Sequence, residues 1–259
     1  MPLLKGRTGL VFGVANDRSI AWHIAKNAVA HGARCGFSYL PGEKMEARVK
    51  RTLASGDLSD AWTFPCDVSS DEQLDALFAA TRKDLGTLDF VVHSIAYADR
   101  AYLQPGTFAS TPRNAFLQAL DISAYTLVAI SRRAMEQMPN GGSILALTYY
   151  GAEKAASGYN VMGVAKSALE SCVRYLAAEL GERGIRVNSL SAGPCRTLSA
   201  MAVGGIDRIL DKVESDAPLR RNIETDEVGK SAVYLLSDLS SGVTGETHHV
   251  DAGYSSIVG

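Results

Sequence analysis

Short, nearly continuous apolar runs alternate along the chain with longer segments whose apolar residues recur at three- and four-residue intervals. The runs at 8–14, 34–39, 62–66, 88–95, 143–149, 185–191 and 248–251 predict strands. Helical spacing marks 20–30, 43–53, 72–85, 113–138, 157–182 and 226–237. Turn residues separate them, among them Asn140-Gly141-Gly142 and Gly193-Pro194. After Pro194 the pattern lapses into a stretch expected to be mobile. Strand and helix in strict alternation predict a single α/β domain, a doubly wound parallel sheet with helices on both faces. Ligands of such sheets bind outside the carboxyl ends of the strands, so the residues there carry the functional question.

Composition narrows the class. With 259 residues, 46% of them apolar, the chain suits one domain with a large core. A net charge of -2 gives no footprint for nucleic acid or an anionic membrane surface. No apolar run approaches the ~20 residues of a membrane span. Cys35, Cys66, Cys172 and Cys195 are scattered, without a C-x-x-C pair, and read as reduced thiols. Met1-Pro-Leu-Leu-Lys5 has no signal-peptide pattern, and a cytoplasmic protein is expected.

At the first strand end, Gly13-Val-Ala-Asn-Asp-Arg-Ser19-Ile20 departs from G-x-G-x-x-G. It reads either as a plain strand-to-helix turn with Ser19 as cap, or as a pyrophosphate cradle at a helix N-terminus. Asp67-Val68, His93-Ser94-Ile95-Ala96 and Ala192 to Thr197 fall at further strand ends on the same sheet edge. The second strand closes Ser38-Tyr39-Leu40, with neither the acid that holds a ribose 2′-hydroxyl nor an arginine for a 2′-phosphate. Glu43 and Lys44 lie just beyond; NADH is preferred and NADPH stays open. Adjacent His248 and His249 point to opposite faces of a strand, and His93 has no partners at metal spacing, so no metal site is expected.

The most specific signal is Tyr159-Asn-Val-Met-Gly-Val-Ala-Lys166. Seven helical residues turn about 700° and rise ~10.5 Å, which sets phenol and ammonium on one face, two turns apart. The residue four before Lys166 is Met162, which has no proton to offer. Relative to a spacing of four, the phenol moves ~4.5 Å along the axis. Ketone reduction puts hydride on the carbon that bears the oxygen. Reduction of a 2-enoyl thioester puts hydride on the β-carbon and charge on an oxygen farther along, where the displaced phenol meets it. Lys166, if close, would lower the tyrosine pKa.

These residues, with Gly13 and Ser19-Ile20-Ala21, His93-Ser94-Ile95, Tyr149-Tyr150-Gly151-Ala152-Glu153 and Ser191-Ala192-Gly193-Pro194 through Thr197, carry a resemblance over residues 6–253. The chain resembles the bacterial enoyl-acyl-carrier-protein reductases, a divergent branch of the short-chain dehydrogenase/reductases. The resemblance implies a Rossmann-like, seven-stranded domain, a homotetramer, and the reductive step of type II fatty-acid elongation on acyl carrier protein. It implies catalytic roles for Tyr149, Tyr159 and Lys166. Cofactor contacts would fall on Gly13, Ser19, Ile20, Leu40, Asp67, Val68, Ile95, Lys166, Cys195 and Thr197. Substrate contacts would fall on Ala98, Tyr149, Tyr159, Met162, Met201 and Ile206, with a lid near 197–212.

Some positions depart from the family pattern: Leu40, Ala96, and the glycines and acid Gly204, Gly205 and Asp207 in the lid. The competing readings are a ketoreductase or alcohol dehydrogenase of the wider superfamily and an inactive dinucleotide-binding regulator. Ala146 stands where the former needs a serine, thirteen residues before Tyr159.

Overall fold

The computed structural model describes residues 2–198 and 200–257. Seven strands form one parallel sheet: β1 (Thr8–Phe12), β2 (Arg34–Tyr39), β3 (Thr63–Pro65), β4 (Phe90–His93), β5 (Gly142–Thr148), β6 (Ile185–Ala192) and β7 (Thr247–Val250). Their order is β3-β2-β1-β4-β5-β6-β7, so the winding reverses between β1 and β4. That reversal opens the crevice where ligands of such sheets bind.

Consecutive strand residues feed opposite cores. Leu10, Phe12, Val91 and Ile144 pack with α3 (Asp71–Asp84), α5 (Thr126–Ala134) and α6 (Asn160–Leu180) on one face. Val11, Val92, Leu145 and Leu190 pack with α1 (Ile20–Ala30), α2 (Glu43–Ala54), α7 (Ile206–Asp216) and α8 (Thr225–Leu236) on the other. Burial on both faces is why the strands read as continuous apolar runs. Local chemistry fixes the helix ends. The Ser70 hydroxyl accepts from the Gln73 amide at 3.2 Å, with Asp71 and Glu72 in the first turn of α3 and Arg82 and Lys83 in the last. Glu224 and Glu227 form a reciprocal capping box at α8.

Three expectations need correction. The predicted helix at 113–138 is α4 (Arg113–Leu120), a π turn at Asp121–Tyr125, α5, and a 3-10 turn at Met135–Gln137. In the π turn Ser123 exchanges hydrogen bonds with Tyr97, accepting from its N–H at 2.9 Å and donating to its carbonyl at 3.0 Å. The stretch after Pro194 is more regular than expected: it contains α7, which buries Ile206, Leu210 and Val213 at helical intervals. The helix expected from 157 begins at Asn160, with Tyr159 as its N-cap residue.

Candidate active site

The centre of the site is the junction of β5 and α6. Tyr149 follows β5 directly, and its ring meets that of Tyr159 edge-on, centroids 4.9 Å apart at 75°. Gly151 makes the contact possible. A Cβ there would lie 2.5 Å from Cδ1 of Tyr159 and 3.0 Å from Cδ1 of Tyr149. Gly163 likewise lets α6 approach, since a Cβ there would lie 2.7 Å from the Gly151 carbonyl oxygen. Lys166 is only 5% exposed, and its Nζ donates to the carbonyls of Leu147 at 2.7 Å and Ile95 at 3.5 Å. Tyr159 and Lys166 therefore both address the end of β5, although Tyr159 is the N-cap residue and Asn160 after it has φ +45°, so the two do not sit on one regular helix.

Burial dominates the electrostatics. It pushes the Lys166 ammonium down to about 8, with the neighbouring Glu170 acting in the opposite sense. It pushes the Tyr149 phenol up to about 12. The Tyr159 phenol also rises, through burial first and then through Tyr149 and Glu170. The expected lowering by Lys166 is thus reversed: the ammonium is spent on two backbone carbonyls, and desolvation decides the direction. Both phenols are neutral hydrogen-bond donors at physiological pH.

One buried group beside Lys166 escaped the sequence reading. Glu170, one turn beyond Lys166, is buried, accepts from the Thr148 hydroxyl at 2.6 Å, and has its carboxyl raised by burial. The spacing of four from Lys166 was the available signal. His93 is fully buried, with Nε2 2.8 Å from the Thr126 hydroxyl. Thr126 donates its own proton to the Ile122 carbonyl, so Nε2 carries the hydrogen. Burial pushes His93 down to about 3, which keeps the ring neutral. Among the described residues no three His, Cys, Asp or Glu side chains are grouped to hold a metal. His249 pairs with Glu153 at 2.7 Å, while the His248 ring lies 6.1 Å from that of Tyr234.

The turn after β1 fits a dinucleotide pyrophosphate. Gly13 has φ +96°, and a Cβ would lie 2.0 Å from the Ser94 carbonyl oxygen, so the β1 and β4 ends close on each other only at glycine. Ser19 is the N-cap of α1 by position but does not cap it with its side chain. Its hydroxyl instead accepts from the amides of Ala15 at 3.0 Å and Asn16 at 2.9 Å, and donates to Asn16 Oδ1. The loop is thereby ordered, and the first amides of α1, beginning at Ile20, have no side-chain cap. An uncapped helix N-terminus behind a glycine turn suits an anion.

The other residues expected at the cofactor end differ in what is left free for a ligand. Leu40 is 54% exposed, beside an open cavity of about 400 Å³ whose lining includes Glu43, Lys44 and Arg48. Asp67 Oδ1 accepts from the Ser69 amide and hydroxyl at 3.0 and 2.7 Å, so one carboxylate oxygen serves its own turn. Val68 is half-buried against the core, and the Ile95 carbonyl is turned to Lys166. The Cys195 thiol is buried, donates to the Gly193 carbonyl at 3.5 Å and is pushed up to about 12 by burial, which leaves its backbone for any cofactor contact. Thr197 Oγ1 accepts from the Ala200 amide at 3.1 Å.

Of the residues expected to meet substrate, Ala98, Tyr159 and Met162 share one apolar cluster with Leu103, Ala119, Val161 and Ala165. Ile206 is buried at the start of α7, whereas Met201 is 56% exposed. Arg196 pairs with Asp207 at 2.9 Å across the base of this segment. Ser199, in the expected lid, lies outside the described residues.

Comparison with known proteins gives the same direction. The family model described as Enoyl-(Acyl carrier protein) reductase matches residues 13–255. The chain is 50% identical to the enoyl-[acyl-carrier-protein] reductase [NADH] of Bacillus cereus over 98% of each chain. It is 48% identical to the enoyl-[acyl-carrier-protein] reductase [NADPH] of Staphylococcus aureus, again over 98% of each. A crystal structure of the Bacillus cereus enzyme with NADP+ and indole naphthyridinone superposes with TM-score 0.96 at 49% identity, covering 100% of both chains. With nearly its whole length matched at these identities, the chain belongs to the enoyl-(acyl carrier protein) reductase family.

Proposed function

We propose that this chain reduces the 2,3 double bond of trans-2-enoyl thioesters on acyl carrier protein, with Tyr159 as the hydrogen-bond donor to the thioester oxygen. The observation that carries the assignment is the edge-on pair Tyr149–Tyr159 at the end of β5, with Lys166 seven residues on and addressed to the same strand end. A bound nicotinamide dinucleotide supplies the hydride. The Gly13 turn and the α1 N-terminus hold its pyrophosphate, and Lys166 exchanges a backbone carbonyl for the ribose hydroxyls. Tyr159, kept neutral by burial, donates its proton into a hydrogen bond at the oxygen where enolate charge develops. Such a fixed donor is worth roughly 10²–10³ in turnover at comparable sites. Tyr149 holds the Tyr159 ring from the side.

NADH is the proposed cofactor, on the strength of exposed, uncharged Leu40 where a 2′-phosphate would need a cation. Lys44 and Arg48 on the cavity beyond it favour the second reading, NADPH. The segment near 197–212 is assigned as the lid over the acyl chain, tied by Arg196 to Asp207. A cytoplasmic homotetramer is proposed, with exposed Leu117, Tyr125 and Tyr175 among its contacts. No helix among the described residues is long and apolar enough to cross a membrane.

Initial rates of NADH oxidation with crotonyl and acetoacetyl thioesters test the reaction. The expected outcome is turnover of the enoyl compound alone. Turnover of the ketone alone would establish a ketoreductase, and cofactor binding without turnover a regulator.

A further inference from the structure

Asn160 follows Tyr159 directly and opens α6 with φ +45°, a left-handed conformation that asparagine tolerates better than most side chains. Its amide nitrogen donates towards three oxygens: the carbonyls of Tyr102 at 2.9 Å and Gln104 at 2.7 Å, and the Thr107 hydroxyl at 3.1 Å. All three lie in one connecting segment, over fifty residues away in the chain. That segment presents Leu103, 4% exposed, to the apolar cluster containing Tyr159 and Met162. The Leu103 carbonyl in turn accepts from the amide of Gly204 at 2.9 Å. Gly158, on the other side of Tyr159, completes the contact. A Cβ there would lie 2.5 Å from the Gly204 carbonyl oxygen. Residues 158–160, 102–107 and the turn at 204 thus meet around the base of Tyr159, and one side-chain amide joins the first two.

We infer that Asn160 is a positioning residue for the acyl chain: its amide fixes the 102–107 segment, and through the Leu103 carbonyl the turn at Gly204, beside Tyr159. This rests on the enoyl-reductase reading. A short acyl group ends at the tyrosines and needs none of this. A long one runs over Leu103 towards the 204 turn and needs both held.

The test compares wild type, Asn160→Gly and Asn160→Asp with crotonyl and dodecenoyl thioesters, together with cofactor affinity and melting temperature. Glycine keeps the left-handed backbone and removes the amide. Aspartate keeps the shape but sets a carboxylate against three oxygens. The expected result is a KM for the dodecenoyl thioester raised about tenfold, near the worth of one net hydrogen bond, with crotonyl kinetics and cofactor affinity within about twofold. The aspartate variant should be the worse of the two. Equal losses on both thioesters, or none, from an active wild type would overturn the inference alone. A wild type inactive on both would overturn the activity reading and this inference with it. Should the aspartate variant fail to fold, the glycine variant, which adds no atoms, decides.

Discussion

Gly151 stands where any side chain would force apart the two rings that define the site. A methyl group there must move one or both tyrosines, since 2.5 Å to Tyr159 Cδ1 is below any real carbon contact. Gly151→Ala is therefore expected to lower kcat by about tenfold or more while cofactor affinity stays within about twofold. Steady-state kinetics with a cofactor titration checks this, and loss of cofactor affinity alone would contradict it. The pairing of Tyr159 with Lys166 was legible in the sequence because seven residues bring two groups to one side of a helix, although Tyr159 is the N-cap residue and the left-handed Asn160 after it departs from regular helical geometry. The Tyr149–Tyr159 contact, the Glu170–Thr148 hydrogen bond and the three bonds of Asn160 were not, because each joins residues that meet only when the sheet is assembled. The sign of the Tyr159 shift was misread for the same reason. A lysine seven residues away suggests a nearby charge, but its Nζ is bound to the Leu147 and Ile95 carbonyls while the ring is buried.

At the scale of elements, the strands were legible because burial on both faces leaves a continuous apolar run, and all seven form. The break at Asp121–Tyr125 was invisible because Leu120, Ala124, Leu127 and Ile130 keep three- and four-residue apolar intervals straight across it. What it gains is the Ser123 side chain bonded to both backbone groups of Tyr97, in the segment that leads from β4 to the site. Helix α7 was hidden by the small residues and glycines before it, although Ile206, Leu210 and Val213 had the right spacing. Ser19 occupies a capping position, yet its hydroxyl serves the preceding loop. The type of residue was right, and the competing donors, the amides of Ala15 and Asn16, lay on the other side.

For the whole molecule, the buried Lys166 links stability to pH. Its folded value, about 8, lies below its ordinary value of 10.5. Below about 8 both states hold the proton and the burial cost is fully present. Between about 8 and 10.5 the unfolded chain holds more protons than the folded one, so stability rises with pH by up to about 1.4 kcal/mol per unit from this group. Urea unfolding of wild type and Lys166→Met over that range should show wild type gaining on the variant as pH rises. A constant difference would contradict the buried-charge assignment. The reversal of strand order between β1 and β4 places Gly13, Ser94, Ile95, Lys166 and both tyrosines on one edge of the sheet, the edge where the proposed function brings cofactor and acyl thioester together. The most direct test of that convergence is Tyr159→Phe with a crotonyl thioester, read beside cofactor affinity. Turnover is expected to fall roughly 100-fold with cofactor affinity unchanged, because only the donor to the enolate oxygen is removed. Wild-type turnover in that variant would show that the charge is stabilised elsewhere and that the tyrosine pair is packing alone.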